Sequence, residues 1–289
     1  MAKHNSPALG VGMTCLGNRL KLWETSPITL APKVHDNRSF AILAANDWPH
    51  FTQRVSLRQM VCLVIPALNE AEVIAEVVRS IPRTVVNQIV VVDNGSTDAT
   101  AEVAREAGAM VVSQPMRGYG RACRAGMNTA ITAGADIVVF IDGDGSDCPE
   151  FIDQLVRPIQ EDRFDFVIGS RTRGKREAGS LNPQQILAAR MAGWLLRIRY
   201  GVTFTDMSPF RAIRSGLLQS LPMREETYGW NLEMQMLVAQ RRARILEIPV
   251  DHRRRRGGVS KVSGTFRGTI LAAFRIAVTF IRVAFLNRS

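Results

Sequence analysis

The sequence IVVFIDGDGSDCPE, which runs from Ile137 to Glu150, decides how the rest of the chain is interpreted. It opens with a short apolar run, which is typical of a strand buried on both faces of a parallel sheet. Asp142 and Asp144 follow, with Gly143 between them, so the chain can turn sharply and direct both carboxylates into one crevice at the strand's carboxyl end. Two close carboxylates repel each other unless a cation lies between them, and Mg²⁺ is usually held by carboxylates together with substrate phosphates. The pattern therefore indicates a site for Mg²⁺ or Mn²⁺.

An Asp-Gly-Asp turn has other interpretations, because Asp and Gly are also common in solvated turns. A calcium-binding EF-hand loop does not fit, because Asp147 stands where that loop needs glycine and Asp153 where it needs glutamate. A phosphatase with an aspartate nucleophile fits this stretch, but its catalytic Asp would follow the first strand of its domain, and here two strand-and-loop units come first. The metal-binding DxD pair of a glycosyltransferase is the third alternative.

The composition favours an anionic partner. The chain has 289 residues and a net charge of +11, from 37 basic and 26 acidic residues, which suits binding to nucleotide phosphates, lipid phosphates or an anionic membrane. Nucleic acid is not expected, because the basic residues concentrate in the last third and no zinc-finger or RRM-like pattern is present.

The four cysteines lack metal-ligand spacing and are expected to be reduced. No secretory signal pattern is evident, so a cytoplasmic location is expected.

Strands and helices alternate from Met60 onward, which predicts an α/β domain with a mostly parallel sheet flanked by helices. The expected strands are VCLVIP, QIVVVD, AMVVSQ, IVVFI, residues 164–169 and an edge strand in ARILEIPVDH. The expected helices cover residues 70–80, 98–108, 120–134, 149–162, 184–200 and 230–242. The regular alternation stops after residue 169, which divides the domain at residues 59–264 into halves 59–169 and 170–264.

The two ends of the chain differ from this domain. Residues 1–58 show no sustained period and are expected to be a poorly ordered extension, or to precede a translation start at Met60. Residues 265–289 contain the apolar stretch TILAAFRIAVTFIRVAFL, whose arginines share one helix face with Arg267. This predicts an amphipathic C-terminal helix lying on a membrane, and docking on the domain or on another subunit is the alternative.

Polar residues also follow the first two strands. Pro66, Asn69 and Glu70 lie at the end of the first strand, and Asp93 ends the second, where its carboxylate can bind a base or ribose or can cap a turn. Acidic or amide residues at three successive strand ends are not easily a coincidence, and they indicate one ligand site at the sheet edge.

At this point the sequence resembles the GT-A, family-two glycosyltransferases, and within them the dolichyl-phosphate mannose or glucose synthase group. The motifs occur in the family's order from about residue 61 to residue 264. They are VIPALNE, VVDNGSTDAT, RGYGRACRAG, FIDGDGSDCPE, GSRTRG, TDMSPFRAI, YGWNLEMQ, EIPVDHRRR and GGVSK.

The resemblance implies roles for residues of the first half. The nucleoside would be held by Pro66, Ala67, Asn69, Glu70 and Asp93. Arg117 and the turn at residues 118–121 would lie near the donor's phosphates, and Asp142, Gly143 and Asp144 match the metal-binding DxD. Ser146 stands where some members have a glutamine ligand, which leaves the third protein ligand open.

The resemblance also implies roles for the second half. Asp206 and Arg211 match the D-x-x-S-G-F-R segment, although Pro209 replaces its usual glycine and removes an amide donor. Glu233 matches the glutamate of the G-[YF]-x-x-x-x-E pattern. Arg255, Ser260 and Lys261 match a motif that meets the acceptor's phosphate, although a solvated basic loop is the alternative for the run from Arg253.

These roles imply an inverting transfer of a hexose from GDP-mannose or UDP-glucose to a polyprenyl phosphate at the cytoplasmic face of a membrane. The cation with Arg117 would stabilise the leaving diphosphate. A phosphate acceptor is already anionic and needs no base, whereas a glycan or soluble hydroxyl would need one, and Asp206 and Glu233 are the candidates. A non-catalytic nucleotide-sugar binding protein is a further alternative, which the intact DxD disfavours.

Overall fold

The computed structural model describes residues 59–257 and 277–286. The predicted extension at residues 1–58, the phosphate-binding candidates Ser260 and Lys261, and most of the predicted C-terminal helix lie outside the described residues.

A seven-stranded sheet forms the centre of the domain, in the order β3-β2-β1-β4-β6-β5-β7. The strands are β1 (Val61–Ala67), β2 (Gln88–Asp93), β3 (Met110–Ser113), β4 (Ile137–Phe140), β5 (Phe166–Ser170), β6 (Arg211–Arg214) and β7 (Ile245–Pro249). Neighbouring strands are parallel except at β6, which runs antiparallel to both β4 and β5. The predicted mostly parallel α/β architecture is confirmed.

Helices lie on both faces of the sheet. They are α1 (Ile74–Ser80), α2 (Thr100–Glu106), α3 (Tyr119–Thr132), α4 (Ile152–Gln160), α5 (Pro183–Tyr200), α6 (Ser215–Ser220) and α7 (Trp230–Gln240). A 3₁₀ turn at Pro149–Phe151 leads into α4, and residues 277–281 are α-helical and continue as a π-helix at Arg282–Leu286. We call residues 277–286 the C-terminal helix. Among the described residues, every helix is too short or too polar to cross a bilayer.

The strands are apolar on both faces because each face supports its own core. In β1, Cys62 and Val64 pack into one hydrophobic cluster, whereas Leu63 and Ile65 pack into the other. Helix α3 lies directly on this strand, since a Cβ atom at Gly126 would come within 2.2 Å of the Val64 side chain. Burial of alternate residues in two cores fixes the register of the sheet, because a slip of one residue would exchange the two faces.

Two details differ from the sequence prediction. Helix α1 begins at Ile74 instead of residue 70, because the Glu70 amide donates to Thr100 Oγ1 (2.9 Å) and Asn69 has a φ of 55°. Strand β6 was not predicted, although it lies inside the sheet. Its sequence, RAIR, places a charged residue at each end of a short apolar pair.

The described part of the C-terminal helix docks on the domain. Arg282 donates to Glu233 (2.9 Å), which is fully buried, and the Thr279 hydroxyl donates to Glu225 (2.8 Å). The prediction placed Arg282 on a polar face above a membrane-bound apolar face. The structure corrects this for Arg282, whose guanidinium is drawn inward because Glu233 would otherwise be a buried carboxylate without a countercharge.

Candidate active site

The ends of three adjacent strands bring the predicted nucleotide-binding residues to one edge of the sheet. Strands β2, β1 and β4 are neighbours, and Ala67 at the end of β1 pairs with Asp93 at the end of β2. Pro66 is the residue before Ala67 in β1, and Asp142 lies two residues beyond the end of β4. The carboxyl ends of parallel strands are where ligands bind in open α/β sheets.

Hydrogen bonds lock the loops after β1 and β2 to each other. The Asn69 amide donates to Ser96 Oγ (3.0 Å), and its side-chain oxygen accepts from the Thr97 amide (2.8 Å). Asp93 accepts from the amide of Ser96 (3.0 Å) and so caps its own turn. The left-handed backbone of Asn69, with φ of 55°, is a conformation that asparagine tolerates better than most residues.

Asn94 organises the loop that leads into α3, a role that the sequence prediction missed. Its side-chain amide donates to the carbonyls of Gln114 and Met116 (2.9 Å each), and its oxygen accepts from the amide of Gly118 (2.8 Å). Asn94 is buried. The local signal in the sequence is the Asn94-Gly95 dipeptide, which is typical of a turn and does not indicate these three contacts.

The start of α3 lies between this loop and the acceptor half. Arg117 reaches the carbonyl of Gly95 (3.4 Å), on the nucleoside side of the site. A Cβ atom at Gly120 would come within 2.3 Å of the Glu225 carbonyl, so only glycine allows the loop at residues 224–229 to approach. Tyr119 donates to Asp142 (3.2 Å) and ties this turn to the DxD motif.

The DxD turn is held by its own side chains. Asp144 accepts from the amide (2.9 Å) and the hydroxyl (2.6 Å) of Ser146, and the amide of Asp142 donates to Asp147 (3.0 Å). Asp144 and Asp147 are buried, and Asp142 is half-buried. Ser146 therefore orients Asp144, and the structure places three carboxylates in one turn.

The electrostatics of this turn suit a cation. Burial and the charges of Asp144 and Asp147 raise the pKa of Asp142 above its usual range. Burial also raises the pKa of Asp147, although a hydrogen bond from the Asp142 amide and the charge of Arg171 oppose that shift. Raised carboxyl pKa values mean that the negative charges here are not fully compensated, and a divalent cation would compensate them.

His252 is a second group that the sequence prediction missed. It lies in the strand-like segment after β7, and its Nδ1 is 3.8 Å from an oxygen of Asp147. Both side chains are buried, and neither of these two atoms has a hydrogen bond within the described residues. Burial, with the charge of Arg171, lowers the pKa of His252 to about 4, so its imidazole is neutral at neutral pH and can act as a metal ligand.

The protein side chains alone do not complete the coordination of a divalent cation. Asp142 and Asp144 offer carboxylate oxygens, and Asp147 and His252 offer two buried atoms without hydrogen bonds. In the described part of the chain, however, no three such side chains already stand in metal-binding geometry. The donor set suits Mg²⁺ or Mn²⁺ if phosphate oxygens of a nucleotide complete it.

Arg255 lies in the same crevice instead of in a separate phosphate site. Its guanidinium contacts Asp144 (2.9 Å) and Glu70 (2.9 Å). The other arginines of the run are also engaged: Arg253 pairs with Glu150 (2.5 Å), Arg254 donates its amide to Glu177 (2.7 Å), and Arg256 pairs with Glu76. Three of the four arginines therefore form ion pairs around the site, and the guanidinium of Arg254 donates to the Ala178 carbonyl, so the run is not a freely solvated loop.

Asp206 forms a buried ion pair with Arg171. Both of its oxygens accept from the Arg171 guanidinium (2.8 and 2.9 Å), and its side chain is 1% exposed. Burial favours a higher pKa for Asp206, but the charge and hydrogen bonds of Arg171 overcome it and lower the pKa. Asp206 is therefore ionised, but its carboxylate is already paired with the Arg171 guanidinium.

Arg211 and Glu233 are fully buried. Arg211 donates to the carbonyls of Ser208 and Asn231 (3.1 Å for the latter), and burial lowers its pKa to about 10. Glu233 accepts from the amides of Arg224 (3.0 Å) and Glu225 (2.7 Å) as well as from Arg282. Arg211 stands opposite Phe140, the last residue of β4, in the β4–β6 ladder, and Glu233 fixes the loop that contains Arg224 and Glu225.

Comparison with known families was consistent with this geometry. The model of the family described as "Glycosyl transferase family 2" matches residues 62–221. An uncharacterized glycosyltransferase of Mycobacterium tuberculosis strain H37Rv is 36% identical over 218 residues, which cover 73% of this chain and 94% of the relative. The UDP-N-acetylglucosamine–dolichyl-phosphate N-acetylglucosaminyltransferase of Methanococcus voltae is 25% identical over 213 residues, covering 66% of this chain and 85% of that enzyme.

Solved structures show the same fold. Glucosyl-3-phosphoglycerate synthase from Mycobacterium tuberculosis, in complex with phosphoglyceric acid, superposes with a TM-score of 0.65 and 26% identity, covering 78% of this chain and 80% of that one. The same synthase has been crystallised with Mn²⁺, UDP-glucose and phosphoglyceric acid (TM-score 0.63, 25% identity, 78% and 80% coverage), and with Mg²⁺ and UDP. In that synthase, therefore, the fold holds a divalent cation together with a uridine nucleotide.

Proposed function

The chain belongs to glycosyl transferase family 2, and we propose that it transfers a hexose from a nucleotide sugar to a polyprenyl phosphate, with inversion at the anomeric carbon. One observation carries the choice of acceptor. Asp206 and Glu233, the two candidate bases for a hydroxyl acceptor, are both buried and hydrogen-bonded to cations. A phosphate oxygen is already an anion, so a phosphate acceptor needs neither of them.

The donor would lie along the edge formed by β2, β1 and β4. Asn69 and Asp93 would meet the nucleoside, since their loops are already fixed to each other. Arg117, on the loop that Asn94 orders, would contact the diphosphate. A uridine nucleotide is favoured over GDP, because UDP or UDP-sugars are named for the synthase of Mycobacterium tuberculosis and for the enzyme of Methanococcus voltae.

Asp142 and Asp144 would hold Mg²⁺ or Mn²⁺, and His252 is an additional candidate ligand. When bound, the cation supplies Lewis-acid stabilisation of the departing diphosphate. Tyr119 and Ser146 hold the two carboxylates in position through their hydroxyl groups. Arg255 now compensates the charge of Asp144, and it would be released toward an incoming phosphate when a cation takes over that task.

The acceptor's phosphate would be bound by Arg255 with Ser260 and Lys261, and one of its oxygens would attack the anomeric carbon opposite the diphosphate. The bond to the leaving oxygen breaks as the new bond forms, and no proton has to be removed. Arg171, whose charge Asp206 holds beside the DxD turn, would help to stabilise the negative charge that gathers there.

The location follows from the acceptor. A polyprenyl phosphate is anchored in a bilayer, so the enzyme would work at the cytoplasmic face of a membrane as a peripheral protein. The net charge of +11 suits an anionic surface. The enzyme of Methanococcus voltae, whose name includes a dolichyl phosphate, supports such an acceptor.

A second candidate is transfer to a hydroxyl of a small phosphorylated acid. The structural similarity to glucosyl-3-phosphoglycerate synthase, with a TM-score of 0.65, favours it. That synthase was crystallised with phosphoglyceric acid, which is soluble. The basic residues proposed for a lipid phosphate would equally suit a phosphorylated acid.

The test is the fate of the labelled sugar. The full chain is incubated with radiolabelled UDP-glucose or GDP-mannose, Mn²⁺ or Mg²⁺, and either polyprenyl phosphate in detergent or phosphoglyceric acid, with Asp144→Asn as the control. Cation-dependent label in the organic phase, absent from the control, is the expected result. Label that appears only in a water-soluble product with phosphoglyceric acid would overturn the polyprenyl acceptor and support the second candidate.

A further inference from the structure

Helix α5 exposes a row of large apolar side chains. Leu187, Met191, Trp194 and Ile198 are 60%, 56%, 64% and 65% exposed. At about 100° per residue, the four side chains fall within roughly 60° of one another around the helix axis. We call this row the α5 apolar face.

The α5 apolar face is not the face that packs on the domain. The buried residues of α5 are Ala189, Ala192, Gly193 and Leu196, which lie on the opposite side of the helix. Gly193 is packed so closely that a Cβ atom there would come within 2.0 Å of the Phe204 carbonyl. A helix with two apolar sides, only one of which packs on the fold, is expected to bind something else with the other.

The charges around this face are almost all positive. Residues 171–200 contain seven basic residues and one acidic residue, Glu177. Arg190 and Arg197 are exposed and flank the α5 apolar face on the same side of the helix. An exposed apolar row beside arginines, with a tryptophan in the row, is the pattern of a helix that lies in the interface of an anionic bilayer.

We propose that the α5 apolar face is a docking surface for an anionic lipid bilayer. Trp194 and its apolar neighbours enter the region between headgroups and acyl chains, and Arg190 and Arg197 contact lipid phosphates. The predicted membrane contact lay in the C-terminal helix, whereas this surface lies on α5.

The C-terminal helix contacts α5 and also carries exposed apolar side chains. Val278, Ile281 and Phe285 are 40%, 54% and 59% exposed. Arg199, near the end of α5, donates to the carbonyl of Ala284 (3.2 Å).

The docking surface is tied to the candidate active site. The loop between β5 and α5 is joined to the segment that precedes Arg255, because the His252 amide donates to the Lys175 carbonyl (2.9 Å) and the Glu177 amide to the His252 carbonyl (3.0 Å). Docking of α5 would therefore hold the acceptor side of the site close to the lipid headgroups. This last step rests on the proposed polyprenyl acceptor, whereas the docking does not.

A second copy of the chain is a less suitable occupant. In a symmetric dimer through α5, the arginines that flank the row would face those of the partner, and like charges across an interface oppose association. Lipid phosphates instead supply the opposite charge.

Vesicle flotation of the full chain tests the proposal. Phosphatidylcholine vesicles with and without phosphatidylglycerol are mixed with wild type, with the double variant Leu187→Ser/Trp194→Ser, and with Met110→Ser. Met110 is 49% exposed on β3, an edge strand of the sheet, so it controls for the loss of an exposed apolar side chain outside α5. We expect wild type and Met110→Ser to float with the anionic vesicles. The double variant should bind at least about 10-fold more weakly, because it lacks two apolar side chains that would become buried in the lipid.

Tryptophan quenching by brominated lipids provides a second measurement. Quenching should fall in Trp194→Phe while flotation is retained, because phenylalanine keeps most of the apolar area. Equal flotation of the double variant and wild type, or no flotation of wild type, would overturn the proposal. Self-association of wild type that the double variant loses, without vesicle binding, would assign the face to a second copy.

The two proposals fail separately. Transfer to a short, water-soluble polyprenyl phosphate without vesicles should be equal in wild type and the double variant. If no protein labels that acceptor but wild type still floats and the double variant does not, the proposed acceptor is wrong and the docking surface stands.

Discussion

The two halves of the domain use charged side chains in different ways. In residues 59–169, the predicted site residues lie at the edge of a parallel sheet, and short-range hydrogen bonds such as that from Ser146 to Asp144 orient them. In residues 170–257, the corresponding residues form long-range ion pairs inside the protein, such as Arg171 with Asp206. Among the described residues, Asp142 of the first half forms no ion pair and Asp144 is paired only with Arg255, whereas Asp206 and Glu233 of the second half are bound by arginines inside the protein.

This difference teaches that an acidic residue matched to a family motif is not for that reason a group that contacts substrate. Asp142 and Asp206 both follow from motifs, and both are aspartates in the central part of the domain. Burial and the negative charges of Asp144 and Asp147 raise the pKa of Asp142. At Asp206, the Arg171 guanidinium neutralises the carboxylate and lowers its pKa. The same change from aspartate to asparagine should therefore affect chemistry at one position and folding at the other.

The largest effect should come from Asp206→Asn. It removes the carboxylate that binds Arg171 through two hydrogen bonds, and breaking a largely buried ion pair in this way costs about 3–5 kcal/mol. Urea unfolding measures the loss. The matched control is Asp153→Asn, which breaks an exposed pair with Arg157 and should cost less than about 0.5 kcal/mol. Similar losses for both variants would remove the distinction between the halves.

Asp142→Asn should be the opposite case. We expect transfer activity to fall by at least about 10²-fold, because the cation loses a charged ligand that stabilises the leaving group. The urea midpoint should be unchanged or higher, since one of three repelling carboxylates is removed. Steady-state kinetics at saturating Mn²⁺ and the unfolding curve together check both parts. If the variant is inactive and also strongly destabilised, Asp142 would have a structural role like that of Asp206.

Arg282→Ala should have a smaller effect. It removes a charge-assisted bond to Glu233, but two backbone amides still stabilise that carboxylate, so we expect a loss of about 1–2 kcal/mol. Arg282→Lys should recover part of the loss. If the C-terminal helix were independent of the domain, neither variant would shift the unfolding midpoint.

The pH dependence of stability should differ in sign between the halves. Asp206 has a lowered pKa in the folded state, so its contribution is present above its unfolded pKa of about 3.9 and is lost as the pH falls through the folded value. Asp142 has a raised pKa, so its contribution is present below about 3.9 and is lost as the pH rises through the folded value.

Thermal unfolding in EDTA, which removes divalent cations, measures this pH dependence of stability. From about pH 8 to about pH 3, the advantage of wild type over Asp206→Asn should shrink, whereas wild type should gain relative to Asp142→Asn. The same trend for both variants would contradict the assignment.

The first half was predictable from the sequence because its signals are local. The apolar runs of β1, β2 and β4 are short and bounded by polar residues, and the DxD follows its strand directly. What the sequence missed there, such as Asn94, is a residue whose importance depends on three backbone groups more than 19 positions away.

The second half was harder because its signals are not local. Arg171 and Asp206 are 35 positions apart, and Glu233 and Arg282 are 49 apart. No periodicity reveals such pairs, and the motif match suggested that Asp206 and Glu233 were candidate bases. Strand β6 was missed for a related reason, because its four residues gain their place only between β4 and β5.

Calorimetric titration of Mn²⁺ into the full chain, with and without UDP, tests the central claim most directly. The account predicts weak Mn²⁺ binding without nucleotide, because Asp142 and Asp144 need phosphate oxygens to complete the coordination. Binding should be tighter by at least about 10-fold with UDP, and Asp144→Asn should abolish that gain. Mn²⁺ that binds equally well without UDP, or equally well to Asp144→Asn, would contradict a cation site shared between the DxD turn and the donor.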